Sequence, residues 1–479
     1  MGYKHGIYGE IVASTETITN CKNVPIYIGT APIHRVRDAI INKPQLIRSL
    51  QEAEIKTGYK EDDDYKEFTL SAAIYAHFQN KIKPIGPIVI INTLDPSKHG
   101  EAITETVQII NKVGLIKEHV CIDSIAIADK HEGVDYKLDY TNEGYLKITD
   151  VSTDGLGDTI TVSCRKIDPS KVTDTDIVGS YIAESDERTG IKAIADVYEE
   201  LNLIPSITSA PGFNHIPKVE QALVAITSKI SDKWEAICFT DLDCSSATNT
   251  IEKAIEWKKN NNYNSNSEKV CWPKGVIAGK EMWLSICAIV AKLQTDVKND
   301  NIPCESPSNK QIDISGLIVN GNKIKISQSR ANELNEKGIT TAIYSGGKYV
   351  LWGPHMANYE FGVTDKPDEI FDVNIMVNKY LLNDFQSRNG DLIDQAMTRN
   401  EIDALVNSEQ MRLDALVSGG KMLLGKIVFN RENNATSDII NGDFAFNTLV
   451  TNTPLAKSIT NKVQYTSAGI DNLYGGEEE

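Results

Sequence analysis

The sequence predicts a multidomain α/β and α+β protein that carries an inserted β-rich domain. Three observations point that way. Strand-like and helix-like segments alternate from about 179 to 325, the pattern of a parallel sheet covered by helices. From about 99 to 178 helical segments give way to short β-prone runs separated by turn residues, which suggests a small sandwich or barrel. A length of 479 residues exceeds one ordinary domain, at roughly 150 residues per domain.

Taken in order, Gly6-Ile7-Tyr8-Gly9-Glu10-Ile11-Val12-Ala13 is β-prone and precedes a polar stretch, so residues 1–20 read as an extended arm. Val24 to Gly29 reads as a strand, and Pro25 places it at an edge or at a strand start. A helix is expected from Pro44 to Thr57, stopping at Gly58. A second helix carries Leu70, Ile74 and Phe78 as an apolar stripe. Pro87 to Asn92 is a buried strand, and residues 21–98 form the first part of the core. Within 99–178 the β-prone runs are Val120–Ile127, Tyr145–Thr149 and Thr159–Cys164, with Asp154-Gly155-Leu156-Gly157-Asp158 as a turn.

Within 179–325, strands near Leu203–Ile207, Trp234–Phe239 and Lys269 alternate with helices near Lys218–Ile230 and Ala247–Lys258. A long helix with Trp283, Cys287, Val290 and Leu293 follows. Residues 326–455 return to α+β. There Thr398-Arg399-Asn400-Glu401 is a capping box opening a helix that Gly419-Gly420 ends. In 456–479, Ile459, Val463 and Tyr465 alternate with Ser458, Thr460, Lys462 and Gln464, the pattern of a half-buried strand.

Charge narrows the partners. Lys and Arg number 49 against 66 Asp and Glu, a net −17. Phosphate backbones and anionic lipid heads repel such a chain unless it has a local basic patch, so neither nucleic acid nor membrane is an expected partner. Runs such as Glu61-Asp62-Asp63-Asp64 and Glu477-Glu478-Glu479 read as solvated acidic surface. Eight scattered cysteines without a C-x-x-C, several inside apolar runs, fit a reduced protein. With no apolar leader and no membrane-length run, the chain is expected to fold in a cytoplasm.

No catalytic constellation emerges. Gly275-Val276-Ile277-Ala278-Gly279-Lys280-Glu281 is one residue short of a phosphate loop and has Glu where Ser or Thr would hold Mg²⁺. It reads instead as close packing at a strand-to-helix junction. The eight His show no zinc spacing, and His77 reads as a satisfied helix residue. Asp241 and Asp243 follow a strand end and read as loop solvation or helix capping. No catalytic, metal or cofactor-binding residue is expected, and no cofactor.

Several of these segments resemble the tail sheath proteins of contractile-tailed bacteriophages. Gly6-Ile7-Tyr8 and Val24-Pro25-Ile26-Tyr27-Ile28-Gly29-Thr30-Ala31-Pro32 look like that family's opening arm and first strand. Ile167-Asp168-Pro169-Ser170-Lys171-Val172-Thr173 resembles the exit from its β-sandwich. Glu305-Ser306-Pro307-Ser308-Asn309-Lys310 is similar to the segment after its α/β domain. Ala331-Asn332-Glu333-Leu334-Asn335-Glu336-Lys337-Gly338-Ile339 with Val350-Leu351-Trp352-Gly353 looks like its C-terminal hallmark. Gly442-Asp443-Phe444 and Thr453-Pro454-Leu455-Ala456-Lys457-Ser458-Ile459-Thr460 resemble its closing strand and arm.

The resemblance implies an arm (1–20), a core part (21–98), a β-sandwich insertion (99–178), a subtilisin-like α/β domain (179–325), a C-terminal α+β domain (326–455) and a second arm (456–479). A subtilisin-like fold raises a serine hydrolase as a rival. At 277–281, taken as the comparable junction, there is no Ser or Thr, and His215 lacks the usual context, so no triad and no enzyme are expected. The implied role is a structural subunit that stacks in helical rings of six around a tail tube and contracts to drive the tube through a host envelope. Tail tube, baseplate and tail terminator proteins are the implied partners, in a virion tail assembled in the host cytoplasm. Sheaths of phage-derived bacteriocins or contractile secretion systems are near relatives of this reading, and a surface-binding module with the insertion as adhesin is a more distant alternative. Inter-subunit strand addition is expected through Ile7, Tyr8, Glu10, Ile11 and Val12 in one arm and Ile459, Thr460, Lys462, Val463 and Tyr465 in the other. Arg412 and Lys421 are candidates to face the tube.

Overall fold

A strand apolar on both faces can be buried only inside a sheet covered on both sides, and the chain has several. The computed structural model describes residues 19–20, 22–470 and 473. Its centre is an eight-stranded sheet in the order Lys348–Trp352, Ile339–Ser345, Glu268–Cys271, Ile237–Asp241, Ile207–Ser209, Pro25–Gly29, Ile88–Asn92, Gln45–Ile47. The inner neighbours pair in parallel, and the strand at each edge is antiparallel. The two-residue period sends alternate side chains to opposite cores. Ile88, Ile90, Ile237 and Phe239 join one core, and Val89, Ile91, Ala236 and Cys238 the other. The first core lies under the helices Thr69–Phe78 and Leu284–Lys298, the second under Pro217–Ser228.

The sheet crosses the expected domain divisions. Its strands come from 25–92, 207–271 and 339–352, so neither 179 nor 325 bounds it. Pro25 begins a central strand rather than an edge one, a position where a missing N–H is tolerated. The expected Pro44–Thr57 helix is instead an edge strand, Gln45–Ile47, followed by the helix Leu50–Thr57. Ser49 caps that helix by accepting the Glu52 N–H at 3.1 Å, and Gly58 ends it at φ 73°. The Gly275–Glu281 segment is also not a strand-to-helix junction. Lys274–Ile277 and Lys280–Met282 pair as a hairpin whose two-residue turn, Ala278 and Gly279, has φ of 48° and 81°.

Residues 100–167 fold into two three-stranded antiparallel sheets over one core that includes Val107, Ile116, Leu146, Ile148 and Val162. One is Gly100–Gln108, Thr159–Ile167 and Ala126–Ile127; the other is Val113–Ile116, Leu146–Asp150 and Tyr136–Tyr140. The segment leaves and returns at one place, because Gly100 pairs with Ile167 and the Asp168 N–H donates to the His99 carbonyl at 3.0 Å. Its base rests on the body through His34, Phe68, His119 and Tyr140.

The C-terminal part packs the helices Asp372–Arg388 and Arg399–Ser418 against a hairpin of Met422–Val428 and Asn447–Asn452. The capping box at Thr398 and Glu401 is present. A buried ion pair ties this part to the large sheet, with Lys269 Nζ 2.7 Å from Asp372 Oδ2. The seven described cysteines are free. Among the described residues no helix is long and apolar enough to cross a membrane.

Candidate assembly surfaces

A chain that polymerises by strand exchange needs a free strand and a free edge. Beyond Asn452 the chain runs without regular secondary structure to residue 466. Leu455 to Ile459 form one wall of a 610 Å³ cleft, with Lys457 Nζ 6.0 Å from the Tyr359 ring. Ile459, Val463 and Tyr465 are then 86, 89 and 85 % exposed, and Thr460 and Lys462 are exposed as well. The half-buried strand expected here is therefore unburied and unpaired among the described residues. Three large apolar side chains remain in water.

The hairpin Met422–Val428/Asn447–Asn452 is a two-stranded sheet, so both of its outer edges lack a strand partner among the described residues. Its inner positions Met422 and Ile427 enter the helical core, while Leu423, Leu424 and Leu449 are exposed. No local sequence signal pairs the two strands of this hairpin. Met422-Leu423-Leu424 and Ile427-Val428 are a local signal for the first strand, whereas its partner Asn447–Asn452 offers only Leu449 and Val450 as apolar residues.

At the other end, Thr19–Asn20 pairs in parallel with Ile85–Gly86, and the Lys22 N–H donates to Asn301 Oδ1 at 3.0 Å. Ile7, Tyr8, Glu10, Ile11 and Val12 lie outside the described residues.

The two cations expected to face a tube are occupied within the chain. Arg412 lies 3.2 Å from Asp384 and 3.3 Å from Glu409, and Lys421 bonds Asn299 Oδ1 at 3.2 Å and lies 3.5 Å from Asp300. Both side chains are largely covered, so neither offers a free charge to a partner.

The end of the Ile237–Asp241 strand is the natural place for α/β chemistry. Buried Asp241 accepts the Ser285 N–H at 2.9 Å and the Ser285 Oγ–H at 2.5 Å, capping the long Leu284–Lys298 helix. Burial pushes the Asp241 carboxyl up to about 6. The junction into this helix is thus not 277–281: a serine opens the helix eight residues past Ile277, and its hydroxyl proton is directed to a carboxylate. His215 instead stacks on Trp283 at 5.0 Å, and Ser285 is wholly buried. His77 bonds the Tyr27 hydroxyl at 2.7 Å and the Ile85 carbonyl at 3.0 Å. Among the described residues no group of three or more His, Cys, Asp or Glu could hold a metal ion.

The fold is similar to that of chains found in contractile injection systems. It superposes over 97 % of its length on all of a chain in the cryo-EM structure of the anti-feeding prophage baseplate, 6-fold symmetrised, with TM-score 0.60 and 13 % identity. It also matches a chain of the contracted sheath complex of an extracellular contractile injection system (PVC), with TM-score 0.53, 10 % identity and coverage of 98 and 99 %. In sequence, the tail sheath protein of Burkholderia phage BcepMu is 26 % identical over 424 residues, covering 82 % of this chain and 84 % of that one. No family model matches the chain.

Proposed function

We propose that this protein is the structural subunit of a contractile tail sheath. The observation that carries the reading is sequence similarity over 82 % of the chain to a tail sheath protein, together with a fold like that of chains in contractile injection systems. Copies polymerise helically around an inner tube, and contraction is a change from one subunit packing to another that drives the tube through an envelope. Tube, baseplate and terminator proteins are its partners, six subunits form each ring, and the assembly sits in a virion tail.

The finer architecture follows the same reading. Residues 100–167 act as a β-sandwich insertion, the α/β body is a subtilisin-like scaffold without hydrolase chemistry, and segments 1–20 and 456–479 are arms. The exposed 459–465 segment adds as a strand to a neighbour. Burying Ile459, Val463 and Tyr465 contributes about 1.5–3 kcal/mol each. That total is comparable with the roughly 4–15 kcal/mol cost of association, so an arm tethers while body contacts complete the lattice.

Negative-stain microscopy of the purified chain tests this. Hollow tubes or rings are expected, and discrete monomers at high concentration would count against it. Deleting 456–479 should leave soluble, folded protein that no longer forms tubes. Tubes from that truncation would overturn the arm assignment while leaving the sheath reading intact.

A further inference from the structure

The hairpin of Ile339–Ser345 and Lys348–Trp352 ends in a feature that the sheath reading does not use. Gly346 and Gly347, at φ 58° and 83°, turn the chain and leave Tyr344 directly opposite Tyr349. The rings meet edge to face at 5.3 Å, and Tyr344 is 64 % exposed. Two grooves flank this tip, of 520 and 550 Å³, and both tyrosines line each of them. Lys81 and Lys348 border one, and Lys325 and Arg330 the other.

The three lysines are exposed, and none enters an ion pair among the described residues. The counter-charges are few. Asp313 lines the first groove and accepts the Lys81 N–H at 2.9 Å, and Arg330 is held by Glu252 and Glu333. Lys323 stands exposed two residues before Lys325. In a chain of net charge −17 this is a local excess of positive charge around two rigid aromatic rings. Rings with a polar tip beside cations are suited to an anionic, extended peptide.

We propose that this surface docks the acidic segment Glu477-Glu478-Glu479 of the same chain sequence, from its own or a neighbouring copy. The three glutamates match Lys81, Lys325 and Lys348 in number and sign. The 20 residues after Ile459, where the chain leaves the cleft, span about 65–70 Å when extended, at ~3.3–3.6 Å each. The proposal does not depend on the sheath reading, since it requires only this chain and its tail.

Zero-length carbodiimide coupling tests it on the full-length protein, because an amide forms only where a carboxylate touches an amine. Mass spectrometry should find 471–479 joined mainly to Lys81, Lys325 or Lys348. Yield should fall about fivefold or more in 0.5 M NaCl, where screening shortens to a few ångströms. The variant E477Q/E478Q/E479Q should abolish the links formed through residues 477–478 and sharply reduce those of 471–479 as a whole, and Tyr344→Ala should weaken them while the thermal midpoint stays unchanged. Links spread evenly over surface lysines, or none from the tail, would overturn the proposal. Equal capture of an added acidic oligonucleotide and of a synthetic 471–479 peptide would also overturn it, by showing a general anion patch.

Discussion

The ion pair between Lys269 and Asp372 joins the central sheet to the C-terminal helices, and its removal should be costly in an asymmetric way. Both side chains are fully buried. Lys269 Nζ donates to Asp372 Oδ2 at 2.7 Å and to the Gly353 carbonyl at 2.9 Å, with the His355 carbonyl at 3.5 Å. Asp372 also accepts from Ser306 Oγ at 2.7 Å and stands at the first position of the 17-residue helix Asp372–Arg388. Asp372→Ala leaves an ammonium buried with carbonyls alone, which costs about 3–5 kcal/mol. Lys269→Met leaves a carboxylate that keeps Ser306 and a helix N-terminus, whose favourable interaction with an anion is worth about 0.3–2 kcal/mol. The lysine variant should therefore be the milder one. The double variant Lys269→Met/Asp372→Leu should recover most of the loss, since replacing both charges by apolar groups is often neutral or stabilising. Urea unfolding followed by far-UV circular dichroism reads this directly. With a slope of about 3 kcal/mol per molar, Asp372→Ala shifts the midpoint by about 1–1.7 M. A shift below a quarter of that, or a double variant worse than either single one, would refute the argument.

Acid should loosen the protein through its buried histidines. Burial holds His77, His215 and His355 down to about 4, and burial, Arg35 and His119 hold His34 well below its usual value. The unfolded chain titrates near 6.5, so stability is full above that pH and is lost as pH falls toward the folded values. His77 alone accounts for ~3 kcal/mol; thermal midpoints should drop steeply from pH 6.5 to 4. His34→Gln should reduce the part of that drop seen by hydrogen exchange at the base of the 100–167 segment. Glu220 behaves in the opposite sense, because burial and the facing Glu268 raise its carboxyl far above the ordinary range. Its contribution is present at low pH and is lost as pH rises, so Glu220→Gln should be more stable than the parent at pH 8.5 and show little difference near pH 4.5. A variant that melts below the parent at pH 8.5 would contradict this.

Local signals in the sequence were reliable where a single element determined them. The stripe of Leu70, Ile74 and Phe78 marks a real helix, Thr69–Phe78, and the capping box at Thr398 opens Arg399–Ser418 as expected. Non-local pairing was not legible. Gln-Leu-Ile at 45–47 looks like helix until it meets Ile88 and Val89 across an edge, and that partner lies more than forty residues away. Gly100–Gln108 carries Glu101, Glu105 and two threonines, so it lacks an apolar run, yet it pairs with Thr159–Ile167 along nine residues. The Ala278-Gly279 turn was missed for a similar reason, since only the pairing of the flanking strands shows that these residues reverse the chain. Of the residues expected to act between subunits, Ile459, Val463 and Tyr465 are recognisable by alternation. The commitment of Arg412 and Lys421 to Asp384, Glu409 and Asn299 depends on how two helices and a loop meet.

The closed base of the 100–167 segment has an engineering consequence. Because Gly100 and Ile167 are cross-strand partners, the two ends of the segment are already held a strand spacing apart by the body. The six strands share a core of their own and add none to the large sheet. The segment is therefore a cassette: a compact module whose termini lie one strand apart could be exchanged for 101–166 if it also covers His34 and Phe68, which His119 and Tyr140 now pack against. On a helical polymer such a cassette would repeat once per subunit, converting a single weak binder into a dense, evenly spaced display whose avidity comes from repetition.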